Sequence, residues 1–268
     1  MLSSRIKHTL VLSLKDSRRR RDYISEHFRS IGISNYSFVE AVEARSAKVK
    51  EFYERKFVHA FPPCFRCGDI KCECKNNILI PQQVANWISF LSIWNSLSGR
   101  DDLFLICEDD VSFFNGGIRL LNDYLDNYST QGQNVLIRLS QSGIDPNQDL
   151  GNVAQLKSSD EVVMSNVAYI LNGNMASHLC NVFTKIATTS DIWLHREIAN
   201  EQSVESVTLK PLIATDLSYN KDYALFASRI HPKGIDRDDE VRKSKHIMRA
   251  NSEREYEEIW KDWFRGVN

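Results

Sequence analysis

The chain opens on an apolar, β-branched run, residues 8–14 (HTLVLSL), which reads as a buried strand. Asp16 or Ser17 can then cap a helix in which Ile24, His27, Phe28 and Ile31 recur at helical spacing, and Gly32 is a good stop. Residues 36–42 (YSFVEAV) read as a second strand, and the order strand, helix, strand favours parallel pairing. Residues 45–80 break the rhythm with four cysteines, Pro62, Pro63 and several charges, as an insertion or long functional loop does. From about 82 to 98 a helix follows, with Val84, Trp87, Ile88, Leu91 and Trp94 on one face and Gly99 at its end. Leu103 to Cys107 (LFLIC) is apolar without interruption, the pattern of a strand covered on both faces. Beyond it the pattern predicts helices near 118–127 and 174–187, and strands at 134–139, 153–157, 162–171 and 208–213. A last helix, about 253–265, carries Tyr256, Ile259, Trp260 and Trp263 on one side, and Ser252 with Glu255 fits a capping box at its start. The expected fold class is therefore α/β, a mostly parallel sheet flanked by helices, with the cysteine-containing insertion in its first half.

Composition adds little to this picture. The 268 residues carry a formal net charge of −1, with 42% hydrophobic and 26% charged residues, ordinary values for a soluble globular protein. Near-neutral charge argues against general nucleic-acid binding, which wants a basic face. The apolar stretch Thr9 to Leu14 is too short for a secretory signal and is broken by Lys15 and Asp16. No window approaches the ~20 apolar residues of a membrane-spanning helix. The expectation is a cytoplasmic protein in which residues 1–268 form one domain, 45–80 its insertion and 250–268 its C-terminal helix. Trp260, Trp263 and Phe264 beside Lys261 and Arg265 allow peripheral contact at the inner membrane face, although such a stripe more often packs on the protein body.

The candidate chemistry begins at Glu108, Asp109 and Asp110, directly after the apolar run 103–107. Adjacent carboxylates at a buried strand end repel or neutralise unless a cation holds them. Ligands of open α/β sheets sit beyond the carboxyl ends of the strands. If the strand continues, Glu108 and Asp110 face one way and Asp109 the other. Two carboxylates on one side suit Mg²⁺ or Mn²⁺ shared with a diphosphate. A solvated, Asp-rich turn is the plainer alternative. Ser13 and Leu14, at the end of the first strand, would lie near a nucleotide, and Arg20 could reach it or a phosphate. For most of the arginines 18–21 a solvated helix face is the better reading.

The pattern Cys64-x2-Cys67-x4-Cys72-x-Cys74 is compact enough for one structural Zn²⁺, with metal-free thiols, or disulfides in an exported chain, as alternatives.

Several segments, in order, resemble glycosyltransferase family 25, which includes bacterial lipooligosaccharide galactosyltransferases and the collagen galactosyltransferase domain. Val11-Leu12-Ser13-Leu14-Lys15 with Arg20 and Arg21 is similar to the family's first strand and arginine helix. Phe38 to Ala44 resembles its F-x-A-x-D-G segment, with Glu43 in place of Asp and Ala44 in place of Gly. Trp87 to Trp94 resembles its G-C-x-x-S-H helix, with the histidine replaced by Phe90. Phe104 to Val111 (FLICEDDV) matches its strand and E-D-D, and Ala168 to Leu171 with Ala176 resembles its A-Y-x-I segment. The resemblance implies a GT-A architecture, Rossmann-like in its nucleotide-binding half, a nucleotide-sugar donor and usually Mn²⁺. By that analogy Asp110 is the direct metal ligand, and Glu108 and Asp109 meet the metal shell or the donor ribose. Asp191, where the family often has an Asp, is the first candidate for the base that deprotonates the acceptor, and His195, four residues on, the second, although a partly buried core or surface histidine is the plainer reading of His195. His231 could complete a metal site, although a lone His before Pro is more often a loop residue. The expected activity is transfer of a hexose, galactose first, from a UDP-sugar to a glycan, glycolipid or other hydroxyl acceptor. The departures at Glu43, Ala44 and Phe90 keep alive a second class, a catalytically silent module that binds glycan or a protein partner.

Overall fold

The computed structural model describes residues 1–74, 76–129, 134–142, 155–157, 166–218 and 249–267. The opening βαβ unit forms where its pattern places it. Strand β1 (Ile6–Ser13) leads into helix α1 (Arg18–Ile31), and β2 (Tyr36–Glu40) pairs parallel to β1. Gly32, at φ 78°, takes the left-handed conformation that ends α1, and its N–H meets the Phe28 and Arg29 carbonyls. Ser17 is the N-cap residue, but its side chain accepts no bond from the helix.

The remaining strands are β3 (Leu103–Glu108), β4 (Val111–Phe113), β5 (Asn134–Arg138), β6 (Gln155–Lys157), β7 (Ala168–Asn172), β8 (Val204–Lys210) and β9 (Ala214–Asp216). Seven of them form a sheet in the order β2-β1-β3-β7-β5-β8-β6, while β4 and β9 form a separate two-stranded ladder. Strands β6 and β7 run against the others, so the sheet is mostly parallel. Helices α2 (Ala47–Glu54), α3 (Pro81–Leu97), α4 (Gly117–Asn127) and α5 (Gly173–Val182) complete the main frame.

Alternation along the central strands builds two cores. Val11, Leu105, Cys107 and Ile137 face Ile24 and Phe28 of α1 and Leu121 and Leu125 of α4. Leu12, Phe104, Ile106 and Leu136 face Trp87, Phe90 and Trp94 of α3 and Met175 of α5. This explains why residues 103–107 are apolar at every position: both faces of β3 are covered. Each of the large side chains so buried stabilises the fold by roughly 1.5–3 kcal/mol.

Three details differ from the pattern-based expectation, and two expected strands are described only in part. The insertion contains α2, started by the Ser46 hydroxyl accepting the Val49 N–H at 3.4 Å. Helix α5 stops at Val182, because Ile186 exchanges backbone bonds with Phe57 and His59, both 2.8 Å, and so must be extended. Of the strands expected at 153–157 and 162–171, residues 153–154 and 162–165 lie outside the described residues. The C-terminal helix (Glu253–Trp263) realises half of its box: Ser252 caps Glu255 N–H at 3.2 Å, but Glu255 takes the N–H of Asn251, at 2.8 Å.

The aromatic stripe of that last helix packs on the body. Trp260 is fully buried and stacks on Tyr53 with ring centroids 4.3 Å apart. Trp263 donates to the Ala44 carbonyl at 3.2 Å. The stripe is therefore packed on the body, the plainer of the two readings, and is not a free face for a membrane surface. Among the described residues no helix is long and apolar enough to cross a membrane.

Candidate active site

Strand β3 ends at Glu108, and Asp109 and Asp110 form the turn into β4. Strict alternation therefore stops at Glu108, and the expected two-sided arrangement is modified. Arg20 of α1 lies against both aspartates, with Nη1 2.5 Å from Asp109 Oδ1 and 3.9 Å from Asp110 Oδ2. Ser13, the last residue of β1, donates to Asp109 Oδ2 at 2.7 Å. Glu108 turns to α3 and accepts from Asn86 Nδ2 at 3.4 Å. A fourth carboxylate joins from far along the chain. The β4–β9 ladder sets Val111 opposite Asp216, whose carboxylate accepts from Ser142 at 3.0 Å.

These groups line one cavity of about 620 Å³. Ser13, Leu14, Arg20, Glu108, Asp109, Asp110, Asp191 and Asp216 all contribute to its wall, at the carboxyl ends of β1 and β3. Glu43 and Ala44, the two departures from the family segment, line it as well.

Burial sets the electrostatics. Asp109 and Asp110 are each 6% exposed. Desolvation pushes the Asp110 carboxyl up to about 7 even though Arg20 pulls it down, because Asp109 and Asp216 add like charge. Glu108 is raised well above the ordinary carboxylate range by burial first, then by Asp110. Burial alone would lower the Arg20 guanidinium, yet the attraction of Asp109, Asp110 and Glu108 outweighs it and raises it. Oδ1 of Asp110 is buried without a hydrogen-bond partner. The acidic oxygens do not converge on a single point: among the described residues only the four cysteines bring three or more ligand atoms within 4.8 Å of one another.

The two candidate bases part company. Asp191, in the short turn α6 (Ser190–Ile192), lines the cavity. His195 belongs to the π-helical run Trp193–Glu197, is 3% exposed and packs edge-on against Tyr169. It is buried and not part of the cavity wall. The widened helix turn puts Leu194 and His195 into the core together. His231 lies outside the described residues. Of the four arginines at the start of α1, Arg18 and Arg19 are exposed. Arg20 and Arg21 turn inward, with Arg21 donating to the Ser13 hydroxyl at 3.2 Å and carbonyl at 3.1 Å.

Sequence reasoning missed Asp216, Asn86 and Arg66, all in the cavity wall. The strand expected at 208–213 stopped just short of the first. Asn86 entered only as a departure from a family pattern, and Arg66 lay hidden among the cysteines.

A mixed α/β fold with an acidic cavity beyond its strand ends is the architecture in which nucleotide-using enzymes bind their ligands. The sequence profile of glycosyltransferase family 25 (LPS biosynthesis protein) matches residues 6–194. The chain belongs to that family, and glycosyl transfer is its indicated activity. A comparison with curated proteins found no match. Among solved structures the chain is similar to the inositol-1-phosphate CTP transferase from T. maritima, with 10% identity, a TM-score of 0.39 and 100% of each chain covered. A likeness that loose carries no argument about chemistry.

Proposed function

We propose that this glycosyltransferase moves a hexose, galactose first, from a UDP-sugar to a hydroxyl of a glycan or glycolipid, with Mn²⁺ or Mg²⁺ at the acidic turn. The carrying observation is the common cavity, in which the end of β1, Arg20, the acidic turn and Asp191 face one space. The residues fit a hard divalent cation. The donors are all oxygen, Asp110 Oδ1 is buried without a partner, and four carboxylates outweigh the charge of Arg20. Asp110 is the direct ligand in this reading, with Glu108 beside it. When bound, such a cation offsets charge on the departing nucleoside diphosphate.

Asp191 accepts the proton of the acceptor hydroxyl while that oxygen bonds to the anomeric carbon. The bond from that carbon to the diphosphate oxygen breaks, and UDP leaves with the electron pair. Ser13 and Arg20 hold Asp109 and keep the turn in place for the donor. The chain 1–268 acts as one GT-A-like unit, a reading supported by the C-terminal helix packing into the same core as β1 and α3. None of the six cysteines is joined to another by a disulfide, which suits a reducing, cytoplasmic setting.

The test is calorimetric titration of UDP and UDP-galactose, with and without Mn²⁺, on the wild type and Asp110→Ala. Mn²⁺-dependent binding that disappears in the variant supports the donor site. Binding indifferent to the substitution moves the site away from the turn. A folded protein that binds no nucleotide sinks the transferase reading in favour of a silent glycan- or partner-binding module.

A further inference from the structure

We infer that Cys64, Cys67, Cys72 and Cys74 hold one structural Zn²⁺, and that this knob sets Arg66 in the cavity wall as an anion-binding residue. The Sγ atoms of all four lie within 4.8 Å of one another. A tetrahedral Zn²⁺ with Zn–S bonds of about 2.3 Å places its sulfurs roughly 3.8 Å apart, so only a small contraction separates this cluster from a closed site. Cys64 is buried and the other three are exposed or half-buried, so the ion would sit at the surface with one ligand anchored in the core.

The backbone is already folded around the sulfurs. The N–H groups of Arg66 (3.4 Å) and Cys67 point at the Cys64 sulfur, and that of Asp69 at the Cys67 sulfur. Such N–H···S bonds favour thiolates and orient them for a metal. The reversal they require is made by Gly68, at φ 78° with open space around it, whose N–H donates to the Cys64 carbonyl at 2.9 Å.

The second pair of cysteines is held from outside. Arg249 donates to the carbonyls of Cys74 (2.6 Å) and Cys72 (2.8 Å), and Asn77 and Ala250 exchange bonds of 2.7 and 2.9 Å. The knob is thus fastened to the segment that leads into the C-terminal helix. Its own apolar burial is slight, and Ile70 at its tip is 70% exposed. A loop of this kind gets its rigidity from a crosslink or metal rather than a core.

Arg66 lies between two ligands, so the metal fixes its backbone on both sides. Its guanidinium rests on the Phe65 ring, 5.3 Å from the centroid, and Arg66, an exposed residue, is part of the rim of the candidate active-site cavity. A guanidinium held there suits a phosphate. This second part rests on the donor-site reading above.

The experiment starts with the full chain purified without chelator. Elemental analysis should give one zinc per chain, and replacement by Co²⁺ should give the ligand-field and thiolate charge-transfer bands of a tetrahedral sulfur site. Cys72→Ser/Cys74→Ser should lose the metal and the hydrogen-exchange protection of residues 64–79. Whether or not that variant folds, the Co²⁺ spectrum of the wild type decides independently. A protein without zinc that gives no tetrahedral Co²⁺ spectrum, or disulfides among these four, overturns the site. Arg66→Gln should keep its zinc and bind UDP about tenfold more weakly, as expected for a lost charge-assisted bond. Unchanged UDP affinity overturns the role of Arg66. If the wild type binds no UDP, the donor reading falls and takes that role with it, while the zinc count still decides the metal site.

Discussion

Replacing Arg20 by Gln removes the cation that holds the acidic turn together. In the closer pair, Nη1 and Asp109 Oδ1 are 2.5 Å apart, and the two side chains are 16% and 9% exposed, so water screens them little. A unit pair 4 Å apart at an effective dielectric of 20 interacts by about 4 kcal/mol. Deleting one member of a buried pair costs about 3–5 kcal/mol, because the other charge stays behind. Arg20→Gln should therefore lose about 3 kcal/mol of unfolding free energy at a pH of about 8, without added metal. The pH dependence has a definite sign. Asp110 already titrates at about 7 through burial and like charge, with Arg20 pulling it down. Losing Arg20 raises it further. A carboxyl whose folded pKa exceeds its unfolded value is protonated in both states at low pH and costs nothing there. The cost appears as pH rises above the unfolded value, near 4, and levels off above the folded one. Both proteins bear that cost equally up to about pH 7, the wild-type value, so the part of the gap that Asp110 carries should open above about pH 7 and widen until the variant's carboxyl has ionised. Urea denaturation of both proteins across this range, in chelator, measures it. A gap below about 1 kcal/mol at pH 8, or one that shrinks with rising pH, would refute the reasoning.

Divalent-ion binding should be coupled to proton release, since Asp110 and Glu108 are raised and must ionise to act as ligands. Mn²⁺ affinity should therefore climb between pH 6 and 8, and calorimetry in buffers of different ionisation heat should report protons leaving. His27 Nε2 accepts the Phe113 N–H at 2.9 Å, and burial pushes this imidazole down to about 4. Its contribution is fully present above about 6.5 and is lost as pH falls towards 4, up to about 3 kcal/mol, so His27→Gln should show a flatter acid limb in denaturation midpoints. A Cβ at Gly173 would lie 1.8 Å from the Arg100 carbonyl oxygen, a backbone atom with no easy retreat. Gly173→Ala should lower stability by about 1–3 kcal/mol in thermal melts, with the loss unaffected by metal.

The elements with the strongest periodicity were legible in the sequence. Residues 103–107 announce a two-faced buried strand because no polar atom interrupts them, and the helix centred on Trp87 and Trp94 forms where its apolar face predicts. Elements made by long-range contact were not. Strand β4 has three residues and exists because β9 pairs with it, and α5 yields at Val182 to a bridge with a segment more than a hundred residues earlier. The same divide runs through the site. Glu108 to Asp110 could be read locally, since three carboxylates after an apolar run demand a reason. For His195 the spacing to Asp191 suggests a base while the plainer reading is a partly buried histidine, and the core has absorbed it.

Asp216 shows what local reading omits. The family profile covers residues 6–194, so β8, β9 and the C-terminal helix lie beyond the matched part. Yet Asp216 adds like charge to both Asp110 and Glu108, and the N–H of the next residue, Leu217, donates to the Asp110 carbonyl at 2.9 Å. The C-terminal helix fixes Ala44 in the same cavity wall through Trp263. The acidic turn therefore takes its charge balance from a strand outside the matched segment and part of its enclosure from the end of the chain. Substitutions in this C-terminal part should alter the titration of Asp110 and the cavity wall without touching any residue that the family pattern singles out.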